Sequence, residues 1–173
     1  MSVTETTTRT GTTFEADRLR AAMRNHPAGV VVITADVEGR PVGLTATSFT
    51  SVSLDPPLVS FYIAESSTTW PDLRRAPVFG VHLLAADQAG TAARFAAKGV
   101  DRFADPTSWR PGPSGVPLLE GATAHLVCEW SEIRAIGDHV LVVGRVTHAG
   151  VVSEAAPPLV YHRGTFGSVA PSA

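Results

Sequence analysis

Apolar residues fall along this chain in short β-branched bursts separated by turn-forming clusters, the pattern of a protein built mainly from strands. Val30-Val31-Val32-Ile33-Thr34 predicts a strand, Asp36 to Arg40 a polar hairpin turn, and Pro41 to Thr45 the start of the return strand. Leu58 to Ile63 and Val78 to Leu84 predict two more. Two long strands follow, Ala122 to Ile133 and His139 to Ala149, joined by a tight turn at Ala135-Ile136-Gly137-Asp138, and Leu159 to Arg163 makes the last. A helical period replaces the alternation in three places. Phe14, Leu19, Ala22 and Met23 share one face of a predicted helix over Phe14 to Asn25, with Thr12 and Glu15 at capping-box spacing, and Pro27 and Gly29 stop it. A short helix is predicted over Thr69 to Arg75, where Pro71 suits a first turn, and an alanine-rich one over Asp87 to Ala97, ended by Gly99. Asp105 to Pro117 reads as a Pro/Gly-rich loop. Strands outnumber helices and their order is not βαβ, which predicts a mainly β fold, an antiparallel barrel with peripheral helices.

One stretch departs from ordinary strand composition. Gly43 to Leu58 carries six hydroxyl residues, Thr45, Thr47, Ser48, Thr50, Ser51 and Ser53, in a segment that reads as a buried hairpin arm anchored by Leu44, Phe49, Val52, Leu54 and Leu58. Hydroxyls and the backbone N–H groups around Ala46 and Thr47 are hydrogen-bond donors suited to an anion, and a phosphate monoester is the natural guest.

At 173 residues and 44% hydrophobic, the chain can bury one core, giving a single expected domain over 13–167 between a disordered tail over 1–12 and a loose one over 168–173. A net charge of −2, with no basic run, gives little support to a nucleic-acid groove or an anionic membrane surface. Cys128, the only cysteine, excludes an intrachain disulfide and sits in a strand-like run that suits packing. No leader or membrane-spanning run is apparent, and a soluble cytoplasmic protein is expected. Dinucleotide, Walker, zinc-protease and serine-hydrolase motifs are absent, and no histidine pair has metal-ligand spacing on a helix.

Two further clusters suit an anion. Ser66-Ser67-Thr68-Thr69 precedes the short helix, and Phe95-Ala96-Ala97-Lys98-Gly99-Val100-Asp101-Arg102-Phe103 carries the chain's lone lysine together with Arg102, two cations able to neutralise a phosphate.

Taken in order, these segments resemble the flavin reductase family, FMN-binding split-barrel proteins that supply reduced flavin to two-component monooxygenases. The resemblance runs from about Phe14 to Gly167. It rests on Pro-x-Gly-Val-x-Val-Ile-Thr at Pro27 to Thr34, Gly-Leu-Thr-Ala-Thr-Ser-Phe with Ser-Leu-Asp-Pro-Pro-Leu, Ser67 with Thr69, Phe-Ala-x-Lys-Gly-x-Asp-Arg-Phe, and Gly-Asp-His at Gly137 to His139. The resemblance implies that Thr45, Ala46, Thr47 and Ser48 line the flavin ring and ribityl chain, with Ser67, Thr69 and Lys98 near the phosphate and Phe95 and Arg102 in the same segment. It also implies that Tyr161 and Arg163 approach the pocket from the last strand, and that His139 stands close to flavin and nicotinamide as the catalytic residue. Implied with them are FMN or FAD as cofactor, NADH or NADPH as co-substrate, a homodimer, and a flavin-dependent monooxygenase partner reached by diffusible reduced flavin. Two positions depart from the family pattern: Ala28 replaces a hydroxyl residue and His82 an asparagine, His82 being a candidate donor to flavin oxygen or phosphate. A flavoprotein that keeps its FMN and acts on an organic substrate, and a non-catalytic FMN-binding module, are the alternatives.

Overall fold

The computed structural model describes residues 13–169; the expected tail over 1–12, and with it Thr12 of the expected capping pair, lies outside what is described, as do 170–173. Helix α1 spans Thr13–Met23 and leads into β1 (Ala28–Gly29) and the hairpin of β2 (Val31–Val37) and β3 (Arg40–Ala46). Then come β4 (Thr50–Leu54), β5 (Pro57–Ala64), the one-turn helix α2 (Trp70–Leu73), β6 (Val78–Leu83) and α3 (Ala89–Ala96). The segment read from the sequence as a loop forms a small ribbon of β7 (Trp109–Pro111) and β8 (Pro117–Leu119). The long hairpin β9 (Ala124–Ile136) and β10 (His139–Val151) follows, then β11 (Leu159–His162) and β12 (Thr165–Ser168).

Seven strands form one antiparallel sheet in the order β3-β2-β6-β9-β10-β5-β4, and β1, β11 and β12 form a second, smaller one. The two outer strands of the large sheet, β3 and β4, are consecutive in the chain. Ser48, in their connection, accepts a bond from the Tyr62 backbone N–H on β5 at 2.9 Å and donates to the Tyr62 carbonyl at 3.1 Å, so one hydroxyl helps draw the sheet round on itself. The enclosed core follows the alternation of the strands. Val31, Ile33, Ala35 and Val37 of β2 meet Leu44 and Ala46 of β3, Phe61 and Ile63 of β5, Phe79 and Val81 of β6, and Val142 of β10. The other face of β2 is apolar as well, because Val30 and Val32 pack with Ala92 and Phe95 of α3. That double burial explains an unbroken β-branched run where a half-exposed strand would alternate.

Several sequence expectations need correction. Val52 and Leu54, expected as anchors of a buried arm, are exposed, Leu54 to 90%, because β4 is an edge strand paired only with β5. Ser168, expected to open a loose tail, pairs with Leu159 as the end of β12. The turn between the long strands is only Gly137-Asp138. His82, expected near a flavin, is fully buried. Thr34 Oγ1 donates to the Pro117 carbonyl at 2.7 Å and lies 2.7 Å from His82 Nε2, while His82 Nδ1 lies 2.8 Å from His125 Nδ1.

Burial, reinforced by the neighbouring His125, drives the His82 pKa down from 6.5 to about 3, and burial lowers that of His125 too. Both rings fold neutral, whereas an unfolded chain takes up protons on them below pH 6.5. The stabilisation is therefore complete above that pH and is lost as pH falls towards the folded-state values. Denaturant titrations from about pH 6.5 down to 4.5 should show stability falling by up to about 1.4 kcal/mol per pH unit from His82, with half-buried His125 adding a smaller fall in the same direction. A flat profile over that window would contradict the neutral pair.

Candidate active site

The cleft is walled by three segments, β3, the loop after β5, and the exit of α3. Gly43 lets them approach: a Cβ there would lie 2.7 Å from the Ile33 carbonyl oxygen and 2.8 Å from Phe95 Cε1, so only glycine lets the Phe95 ring lie against β3. Arg102 then ties the walls together. Its Nη1 donates to the Gly43 carbonyl at 2.8 Å and to Thr69 Oγ1 at 2.7 Å, and its Nη2 to the Ala97 carbonyl at 2.6 Å. All three acceptors are neutral. Burial lowers the Arg102 pKa from its ordinary value of 12.5, but a guanidinium remains charged at neutral pH, so an uncompensated cation is fixed in the wall.

The resulting cleft, of about 440 Å³, is lined by Thr45, Ser67, Thr69, Phe95, Lys98, Arg102 and His139, together with Tyr62, Ser66 and Thr68. A second hollow of about 510 Å³ holds Thr47 and Tyr161 and shares Thr45 and Ala96 with the first. Eight of the chain's sequence-derived site residues other than His139 thus converge on one continuous surface, with Lys98 and Thr47 on the same side of the molecule. Lys98 follows α3 directly, before Gly99 at φ +72°, and its ammonium has no hydrogen bond or ion pair among the described residues. Thr45 Oγ1 donates to the Ala92 carbonyl at 2.7 Å, which seats α3 on β3. On the opposite wall, His139 begins β10. Its Nδ1 lies 2.6 Å from Asp138 Oδ1, and the bond from His139 holds the Asp138 carboxyl below its ordinary pKa. A carboxylate only accepts, so Nδ1 carries the proton and Nε2 is left free.

Three expected side chains fall elsewhere, while Ala46, expected to act through its backbone N–H, turns its side chain into the core. The Ser48 hydroxyl is occupied by Tyr62, and His82 is enclosed by Thr34 and His125. Arg163 turns towards the end of α1, donating from Nη2 to Asn25 Oδ1 at 2.8 Å. Gly43, Tyr62 and Asp138 were missed as site-building residues. The alternation of Leu58 to Ile63 carried the signal for Tyr62, since it sets Tyr62 opposite in direction to core Phe61 and Ile63.

The fold and the donor set define a class, a small antiparallel split barrel with a cationic, hydroxyl-lined cleft of cofactor size. The sequence profile of the flavin reductase like domain family matches residues 23–170, and the chain belongs to that family. Among its relatives is an NADH:FMN oxidoreductase of Rhodococcus qingshengii, 47% identical over 150 residues that cover 85% of this chain and 78% of the relative. Another is the reductase subunit HsaB of a flavin-dependent monooxygenase from Rhodococcus jostii, 36% identical over 154 residues, 89% of this chain and 78% of the relative. Among solved structures, the Streptomyces globisporus NADH:FAD oxidoreductase in complex with NAD and FAD fragments superposes with a TM-score of 0.86 at 37% identity, covering 92% of this chain and 96% of that one.

Arg102→Met removes three hydrogen bonds from one charged group and should lower stability by about 2–4 kcal/mol in denaturant titration. Arg102→Lys keeps the charge but not the three-way geometry and should recover less than half of the loss. A methionine variant as stable as the native chain would show that Arg102 does not hold the walls.

Proposed function

We propose that this protein is an NAD(P)H:flavin oxidoreductase that passes reduced flavin to a partner flavin-dependent monooxygenase. The observation that carries the reading is the meeting, in one cleft, of two cations with no ion pair among the described residues, a rim of hydroxyls, and a histidine with one nitrogen committed and the other free. The residues present fit a flavin phosphate. Lys98 offers three N–H donors with no protein acceptor, and the Arg102 Nε–H, buried and without a partner, adds to the positive field beside Ser67 and Thr69.

When bound, the flavin supplies the two-electron acceptor for the hydride of a reduced nicotinamide. Lys98 neutralises the phosphate, and Arg102 contributes charge while keeping the wall in place. Thr45 and Thr47, with Tyr161 beyond them, border the surface along which the ring system and its side chain lie. His139 orients the nicotinamide: Asp138 holds its Nδ1–H and sets the direction of the ring, so the Nε2 edge is presented to the co-substrate. Holding two ring systems in register removes much of the entropic part of the barrier, and this is the larger share of what the polypeptide contributes.

The chain works as a homodimer. Supporting this is the exposed apolar edge made by Val52 and Leu54 of β4, an arrangement that proteins usually cover. Its place is the cytoplasm, in keeping with Cys128 as a free, buried packing thiol whose pKa burial pushes up to about 12. No helix among the described residues is long and apolar enough to cross a membrane. Residues 13–167 form the catalytic unit.

Purified protein should oxidise NADH or NADPH many-fold faster when free FMN or FAD is added, and no stimulation by either flavin would remove this reading. His139→Ala should reduce turnover by about 10- to 100-fold while changing flavin affinity little. Unchanged turnover would take His139 out of the reaction.

A further inference from the structure

A groove of about 370 Å³ lies where the end of the long hairpin meets the β7–β8 ribbon, and it shares no lining residue with the flavin cleft. Arg110, His125 and His148 line it over an apolar floor that includes Leu118 and Val127. His125 faces Gly150 across the β9–β10 pair, and His148 stands two residues before Gly150, so both imidazoles rise from one face of the sheet as diagonal neighbours.

The hydrogen bonds behind them settle which nitrogens are protonated. The Thr34 hydroxyl proton goes to the Pro117 carbonyl, which can only accept, so His82 Nε2 donates to Thr34 Oγ1. Neutral His82 then has a bare Nδ1, and the contact at 2.8 Å forms only if His125 Nδ1 donates. Neutral His125 is left with a bare Nε2. The same logic applies to His148. Thr147 Oγ1 donates to the Val127 carbonyl at 3.1 Å, so it accepts from His148 Nδ1 at 3.3 Å, which leaves the His148 Nε2 edge outside that bond.

The groove therefore offers one fixed acceptor at His125 Nε2, a second imidazole edge at His148, one guanidinium with no carboxylate partner among the described residues, and apolar walls with no acidic residue. We infer that it binds a small aromatic acid, whose carboxylate meets Arg110, whose ring covers the apolar floor beside His148, and whose hydroxyl or N–H donates to His125 Nε2. Two neighbouring imidazoles also suit a divalent metal, but the positive charge of Arg110 acts on His125 and opposes a cation there. No charge conflict arises with an organic anion, and the volume suits one of this size.

The test uses the full-length protein with 3-hydroxybenzoate as probe, followed by calorimetry and ligand-observed NMR, and benzoate as the control that lacks a donor. Saturable binding of one 3-hydroxybenzoate per chain is expected, undiminished by saturating FMN, and weakened about tenfold or more for benzoate and in Arg110→Ala. His148→Phe should weaken it similarly, and neither exposed-site variant should alter flavin-stimulated NADH oxidation in the absence of probe. Failure to saturate at millimolar probe, displacement by FMN, or equal affinity in Arg110→Ala would overturn the inference. Saturable zinc binding lost in His148→Phe, with no binding of 3-hydroxybenzoate, would overturn it in favour of a metal.

Discussion

The guanidinium of Arg102 holds together three pieces of chain at once: the Gly43 carbonyl on β3, the Thr69 hydroxyl ahead of α2, and the Ala97 carbonyl at the end of α3. These are the walls of the flavin cleft. A hydrophobic contact could join two of them, but only a planar fork with several donors satisfies three acceptors in three directions and still leaves a net charge in the cleft. Structure and recognition therefore depend on one group. The barrel supplies a rigid β3, Gly43 lets Phe95 and α3 lie against it, and Arg102 sets where Lys98 emerges.

Much of this was legible in the sequence, and the reasons are local. The β-branched bursts of β2 and β10 and the alanine-rich α3 mark their own positions, and the hydroxyl runs and the Lys98 segment announce an anion site. What failed depends on distant partners. His82 reads as a lone polar residue on a strand, yet its partners Thr34 and His125 lie 48 and 43 positions away, and Thr34 in turn bonds a carbonyl 83 positions along the chain. Ser48 belongs to the hydroxyl run by composition, but the curl of the sheet brings it to Tyr62, where it serves closure. Val52 and Leu54 have the character of core residues, and only the strand order reveals that β4 is an edge. The ribbon of β7 and β8 is hidden by its own prolines and glycines.

The barrel thus carries polar chemistry on two unrelated surfaces. On one, the Lys98 ammonium and the fixed charge of Arg102 stand beside a rim of hydroxyls and suit a phosphorylated cofactor. On the other, a chain of hydrogen bonds running from a buried carbonyl through a hydroxyl and two imidazoles fixes the protonation of a groove-lining histidine. The interior network costs stability when acidified, and a fully apolar packing of the same volume would not. Its presence in a mainly aliphatic and aromatic core is what sets that second surface apart.

The account rests on Lys98, within the field of Arg102, recognising a phosphate. Equilibrium dissociation constants for FMN and for riboflavin, which lacks the phosphate, measured for the native chain and for Lys98→Ala, test that most directly. The native protein should prefer FMN by about tenfold or more, and the substitution should remove most of that preference while leaving riboflavin binding unchanged. An FMN preference that survives in Lys98→Ala would contradict the assignment of the cleft.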